Sequence, residues 1–504
     1  VVADSNMQAE ANLTGAGFAG LVSAGIFKPT ATLSGETRAF VRDGVNMDAA
    51  TLDVSAGKLG SDRVINKAFA KVFGVNVSFL VAAQNLEATA VTSSTVAAFL
   101  GAPDGIAGGG DPSAVLDVGG GVADAVNVIA LSDIDAEAMT EGGSGSGLLS
   151  INLYKPTANA GGTTQAYAGD GLAMRAADLN LTADGDVKAD ASLVSVGVSG
   201  AVSFGGLAPT AMTTNVVETY VGRNDDTGLT SLVDIDILSA NGLNRGDVDA
   251  TATGRSVALA TSTGISIAGL VSAAVTRADA TMMGETRAYV GAYTDLTAGN
   301  VTLTATETNP INPDGEGNAL GANEDATGAI AIINSAGGAG LANISVLEAN
   351  AVAARETEAF VGRGSMVDLG TGDLLATATT NTGAPLSDAQ VRSGGGAGIA
   401  DVSVLRSTSV IGASNGQDSA TKAFVDDNTM VTADDVTLTA TSNTAADSEV
   451  ASGSGAGIAV INTTTMKAEA AHDTSAFVDD GVTLTLSGNL TATATSTPSS
   501  TPRS

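Results

Sequence analysis

The chain has 504 residues, of which 3% are aromatic and 63 are Gly, with no Trp and no Cys; this excludes a rounded core built on large rings, and with it disulfides and thiolate metal sites. Its 54 acidic and 22 basic residues give a formal net charge of −32, which excludes the clustered Lys and Arg that nucleic-acid binding needs. Burial must therefore come mainly from Ala and Val, which requires layers that approach closely and repeat over a short distance, as in a narrow solenoid.

In chain order, the first predicted element is a glycine-rich strand at 15–27 (GAGFAGLVSAGIF), followed at 35–44 by GETRAFVRDG, a short strand centred on Phe40. The aromatic strand then recurs as TVAAFLGAPDG at 95–105, TTQAYAGDG at 163–171 and VETYVGRND at 217–225. It returns as GETRAYVGAY at 284–293, ETEAFVGRG at 356–364, TKAFVDD at 421–427 and TSAFVDDG at 474–481. Phe40, Phe99, Tyr167, Tyr220, Tyr289, Phe360, Phe424 and Phe477 are thus one repeated position, spaced 53 to 71 residues apart, and they use half of the chain's 16 aromatics. After this anchor comes an alternating strand (NVTLTATETN at 300–309, DVTLTATSNT at 435–444), and before it a glycine-rich one (TGISIAGLVSAAV at 263–275, GSGAGIAVINT at 453–463).

Internal repetition at a fixed phase is the mark of a stacked array, and strict alternation between turn residues reads as β-strand. In DVTLTAT, Val436, Leu438 and Ala440 share one face and Thr437, Thr439 and Thr441 the other. The expected fold is all-β: a right-handed parallel β-solenoid of roughly eight repeats, with two rungs of about 30 residues in each unit of about 60. Eight such units predict a rod of about 80 Å at ~4.8 Å per rung. The whole of 1–504 forms one array; 59–139 is its most diverged unit, 498–504 is a C-terminal tail or linker, and loops such as 223–230 and 308–327 absorb variation in unit length.

The motif T-x-A-[FY]-V-x-D-G followed by V-T-A-x-D-V-T-L-T-A-T, clearest at 421–441 and 474–495, resembles the repeats of giant bacterial surface proteins, the filamentous-haemagglutinin-like adhesins and related β-strand repeat proteins. That resemblance implies a secreted, elongated scaffold at the cell surface and brings no catalytic residue with it. The chain begins at Val1 in the glycine-rich phase and stops after a TATAT strand, so the expectation is either an excerpt of something longer or a subunit that stacks head to tail.

Two readings are open for the aromatic position. Alternation places it on the same outward face as Arg38, Glu218, Arg287 and Lys422, opposite inward Ala and Val, which makes an external ladder for lateral self-packing or for sugar rings. Alternatively, a bulge or loop covers the rings and they belong to the core. Asp43, Gly44, Asp170, Gly171, Asp426, Asp427, Asp479, Asp480 and Gly481 read as turn residues, with stacked carboxylates for Ca²⁺ as the alternative. The uncharged stretch 328–347 is long enough to span a bilayer, but its Asn and Gly favour a buried strand layer, so no membrane span is expected. His472 is the only histidine, which excludes a His-based triad or a multi-histidine metal site within one chain. No enzyme is expected; the leading reading is an extracellular structural rod that assembles with itself. An adhesin stalk or glycan-binding module comes second and a polysaccharide-active β-helix using carboxylates third.

Overall fold

The structure, a computed structural model, describes residues 1–57, 63–102, 115–118, 125–169, 173–176, 178–224, 233–238, 245–308, 328–381, 386–412 and 418–503. Among them are thirty-seven strands and no helix. The expected all-β class and the repeated parallel pairing are both present. The strands form three sheets of 15, 14 and 8 strands. One unit shows the path. Asp178–Ser199 runs through the first sheet, Val202–Leu207 and Thr210–Val221 lie in the second, and Val233–Leu238 lies in the third. Asp247–Ala268 then returns to the first sheet and pairs in parallel with Asp178–Ser199 over all 22 residues.

The pairing corrects the expected period. Phe40 lies opposite Phe99, Phe99 opposite Tyr167, and so on to Phe477; each unit of 53 to 71 residues is therefore one layer, not two rungs of about 30. A strand of 22 residues reaches about 70 Å at ~3.3 Å per residue, whereas eight layers at ~4.8 Å rise only about 40 Å. The assembly is wider than it is tall, and the 80 Å rod does not stand. The expected C-terminal tail is also corrected: Ser499–Arg503 is a strand that pairs with Ala445–Glu449. Of the loops expected at 223–230 and 308–327, residues 225–230 and 309–327 lie outside the described residues, whereas Arg223 and Asn224 are described and buried.

Between the sheets the interior falls into zones. One apolar core includes Val54, Leu181, Leu303, Leu438 and Val361; a second includes Ala70, Ile134, Val187, Met282 and Leu347. A line of hydroxyls separates them, with Ser5 and Thr37 2.6 Å apart, Ser132 and Thr164 2.6 Å, Thr380 and Thr421 2.7 Å, and Ser442 and Thr474 2.7 Å. Within this line Arg355, wholly buried, donates to Glu307 Oε2 at 2.5 Å, to Ser256 Oγ at 2.7 Å and to the Met283 carbonyl at 3.2 Å. Neutral hydroxyls satisfy one another across the gap, so a polar seam runs through the core with most of its groups partnered, although Arg355 Nε is left without a hydrogen-bond partner.

Beyond the second core the first and second sheets converge into a thin arm and are joined by two residues: Gly147–Leu148, Gly200–Ala201, Gly269–Leu270, Gly340–Leu341. Here the usual polarity is inverted. In Val194–Ser199, Ser195, Gly197 and Ser199 point inward while Val194, Val196 and Val198 stand 39–45% exposed. Close approach is the reason: a Cβ on Gly197 would lie 2.8 Å from Ser203 Oγ, and one on Gly337 2.3 Å from Asn343 Oδ1. Only Gly and short polar side chains fit; they bond across the arm, as Ser266 Oγ does to Ser203 Oγ at 2.9 Å and Ser272 Oγ to the Ser266 carbonyl at 2.8 Å, and along the stack, as Asn343 Nδ2 does to Asp401 Oδ1 at 2.9 Å.

The turn glycines stack with equal economy of space. A Cβ on Gly269 would meet the Gly200 carbonyl oxygen at 2.0 Å and one on Gly340 the Gly269 carbonyl at 2.1 Å, so a side chain there would push successive layers apart. Gly269→Val is expected to destabilise the fold by about 2–3 kcal/mol, measured as a fall in the urea midpoint. Gly338→Ala, where a Cβ meets nothing within 4 Å, should leave the midpoint unchanged within about 0.5 kcal/mol.

Candidate functional site

The aromatic position forms a continuous ladder of parallel rings. Seven consecutive centroid separations run from 4.6 to 5.1 Å, with interplanar angles of 0 to 15°. Parallel in-register strands dictate this, since equal positions repeat at the strand spacing of about 4.8 Å. The backbone direction matches the expectation, with Ala359 and Val361 inward and wholly buried on either side of Phe360. The rings themselves are not a free surface. Phe99, Tyr167, Tyr220, Tyr289 and Phe360 are 0–3% exposed, whereas Phe40 at one end is 39% exposed. Of the two readings, an external sheet of rings fails for the central layers and a buried ladder holds.

Beside the rings runs a row of charges. Arg287 faces Glu285 at 2.8 Å and Glu358 at 3.3 Å, and Lys422 reaches Glu358 at 3.2 Å. Glu285 and Arg287 share a strand, whereas Glu358 joins Arg287 and Lys422 of the layers on either side, so the residues that sequence alternation placed beside the ladder reinforce the stacking.

The turn after the ladder behaves as the sequence implies. Gly44, Gly364 and Gly481 have φ of 73°, 67° and 72°, and Asn428 takes the equivalent place at 56°, the left-handed region that Gly and Asn tolerate best. Asp426 and Asp479 each accept a hydrogen bond from the next residue's N–H, ordinary Asx chemistry. Asp426, Asp427 and Asp479 do converge, with one oxygen of each within 4.8 Å of the others, and their mutual repulsion adds to desolvation in raising the Asp427 carboxyl above its usual range. Ca²⁺ takes six to eight oxygens, so a site here would draw on carbonyls or waters besides these three carboxylates. Asp170 and Gly171 lie outside the described residues.

A charged patch on the outer face of the first sheet was missed by sequence reading, because its members are scattered over four layers. Arg63 lies 2.6 Å from Asp184, Arg255 lies 2.5 Å from Asp184 and 3.0 Å from Asp186, and Lys67 lies 2.8 Å from Asp135. Burial pushes the Asp133 carboxyl up to about 6, helped by Asp186 and Asp135, and burial pushes Asp190 up to about 6 as well. The alternation D-I-D-A-E at 133–137 is the signal that these carboxylates share a face. Asn76 and Asn343, each in the N-x-[ST] pattern of a glycosylation acceptor, are 0% and 1% exposed and so closed to modification in the folded state. No helix among the described residues is long and apolar enough to cross a membrane, and 328–347 supplies strand instead. Set against family models, curated proteins and solved structures, the chain finds no match.

His472 lies in the hydroxyl seam, its Nδ1 2.8 Å from Ser419 Oγ and its Nε2 2.8 Å from Thr421 Oγ1. Burial lowers its pKa to about 4. A depressed histidine contributes stability that is complete above its unfolded pKa of about 6.5 and is lost as pH falls toward the folded value. Asp133 and Asp190, raised in the fold, act in the opposite sense over the same window. The difference between the wild type and His472→Gln isolates the histidine: acidification from pH 7 to 4 should cost the wild type up to about 3 kcal/mol more than the variant, read from urea midpoints at each pH.

The ladder gives a second prediction. Tyr220→Ala should cost about 3–5 kcal/mol, whereas Phe40→Ala, at the exposed end, should cost less than half as much. Equal small losses in thermal unfolding would show that the rings contribute little to holding the layers together.

Proposed function

We propose that the chain is a structural protein whose working feature is its own stacked form: a closed, right-handed parallel β-solenoid in an extracellular bacterial surface filament or matrix fibre. The observation that carries this reading is the uninterrupted parallel register. Every layer pairs in the same frame with the one before and the one after, through all eight aromatic positions. The outermost strands, such as Thr30–Val41 and Asp473–Val478, pair on one side only within the chain. They offer main-chain donors and acceptors to a further layer, whether from more of the same polypeptide or from the next subunit. A heterologous contact of that kind does not close and grows into a fibre.

The excess of negative charge keeps such fibres apart in solution. The pairing of charges between adjacent layers, as in Glu358 with Arg287 and Lys422, favours stacking in register. The adhesin-stalk reading stays second, with the external glycan ladder removed from it by the burial of the central rings. Carboxylates with raised pKa on the first sheet, Asp133 and Asp190, favour a third reading, a polysaccharide-active β-helix, but they sit in the field of Arg63, Lys67 and Lys188 within a patch whose other carboxylates are already tied up in ion pairs.

Electron microscopy of the purified chain tests the proposal. Fibres with an axial repeat near 40 Å, one chain of about eight layers, are the expected result. Separate particles about 70 Å wide and 40 Å tall at every concentration would defeat end-to-end assembly by this chain alone, and turnover of an acidic polysaccharide would defeat the structural reading.

A further inference from the structure

The outer surface of the thin arm on the second sheet is the most unusual surface of the molecule. Three outward positions per layer, represented by Val202, Phe204 and Gly206, repeat through eight layers without one charged residue, and Asn85 and Thr463 are the only polar ones. The turn row adds Leu21, Leu148, Leu270 and Leu341 at 42–64% exposure. Six residues of strand and turn by eight layers make a flat apolar face of roughly 700 Å². A monomer rarely exposes so large a patch, and a stable interface takes about 800 Å² from each partner.

The bordering row identifies the partner. Its members in layer order are Lys28, Glu87, Lys155, Ala208, Arg277, Glu348, Arg406 and Thr465. A two-fold axis lying between two such faces, along the strands, keeps this row over its own copy and sets layer one against eight, two against seven, three against six and four against five. Glu87 then faces Arg406, Lys155 faces Glu348, and no like charges meet. Sliding one copy by one layer in one direction sets Lys28 against Arg406, Glu87 against Glu348 and Lys155 against Arg277. Sliding it the other way sets Lys155 against Arg406 and Arg277 against itself. Shape agrees with charge: in the central register Phe204 lies over Ala273 and Gly206 over Val275.

We infer that a second copy of this chain covers the apolar arm face in an isologous dimer with the layers running in opposite directions, the charged row fixing its register. This contact is lateral and goes beyond the end-to-end stacking proposed above, which neither requires it nor supplies it.

Sedimentation of the full chain tests it. Below the concentration at which fibres form, the wild type should sediment as a dimer, and Ile344→Lys, in the middle of the face, as a monomer with an unchanged β-sheet circular dichroism spectrum. Glu348→Lys should weaken the dimer about tenfold, and adding Lys155→Glu should restore it, an outcome that general hydrophobic adhesion would not give. A monomeric wild type, a dimer indifferent to the charge reversals, or a monomer that floats with phosphatidylglycerol vesicles would each overturn the inference. Fibres seen by microscopy alongside any of these results would leave the end-to-end reading intact.

Discussion

In-register parallel pairing at one strand spacing is the constraint from which the rest of the molecule follows. When each residue sits about 4.8 Å above its equivalent, every column along the stack must hold a residue that tolerates its own kind as a neighbour. Rings satisfy this by stacking face to face, as the eight aromatics do at 4.6 to 5.1 Å. Hydroxyls satisfy it by bonding onward. Charges satisfy it best by alternating in sign, as Glu218, Arg287, Glu358 and Lys422 do along one row. Where like charges stack, as Asp133 and Asp186 do, burial and their repulsion together raise the Asp133 carboxyl pKa. A composition poor in large side chains is the outcome of this rule together with close approach of the sheets in the arm.

The interior is graded across its width by the separation of the sheets. Where the sheets lie well apart, Leu, Ile and Val fill the two cores; where they are pinched to a two-residue turn, Gly, Ser and Asn replace them, and the apolar partners of the alternation are left outside. Burial of small polar groups costs little here because they bond one another across the arm. The result reverses the usual relation between hydrophobicity and burial over one part of a molecule that obeys it elsewhere. Val436 and Leu438 are wholly buried, while Val194, in an equally regular alternating strand, is 43% exposed.

That contrast marks how far the sequence could be read. The all-β class, the units and the aromatic column were legible because each is a property of one-dimensional repetition: a period, an alternation, a recurring ring. The number of rungs per unit was not, because periodicity along the chain does not say how many times the chain crosses the stack before it returns. The inverted arm was not legible either. V-S-V-G-V-S at 194–199 fixes that Val and Ser lie on opposite faces but not which face is inside, and the general preference for buried Val points to the wrong one. What decides it is the distance to the facing sheet, set by the two-residue turn, and the Gly recurring at that turn is the one local signal of the pinch. The carboxylate patch on the first sheet was hidden for a related reason, its members being brought together by register between units and not by spacing within one.

An apolar exterior on a polar arm has a physical consequence for how such a molecule behaves in company. The net charge of −32 repels other copies in every orientation except those that shield or bypass it, and the arm face of the second sheet is uncharged, flat and bordered by a row with more basic than acidic members. Ladder-like surfaces are prone to slip by one layer, because apolar columns look the same after a shift of about 4.8 Å. Alternating charges at the border remove that degeneracy, since a one-layer shift turns attraction into repulsion at several positions together. Hydrophobic burial supplies the affinity and is indifferent to register; the charged row supplies register and little affinity. The same division holds inside the chain, where apolar packing makes the layers cohere and interlayer ion pairs mark the frame in which they do so.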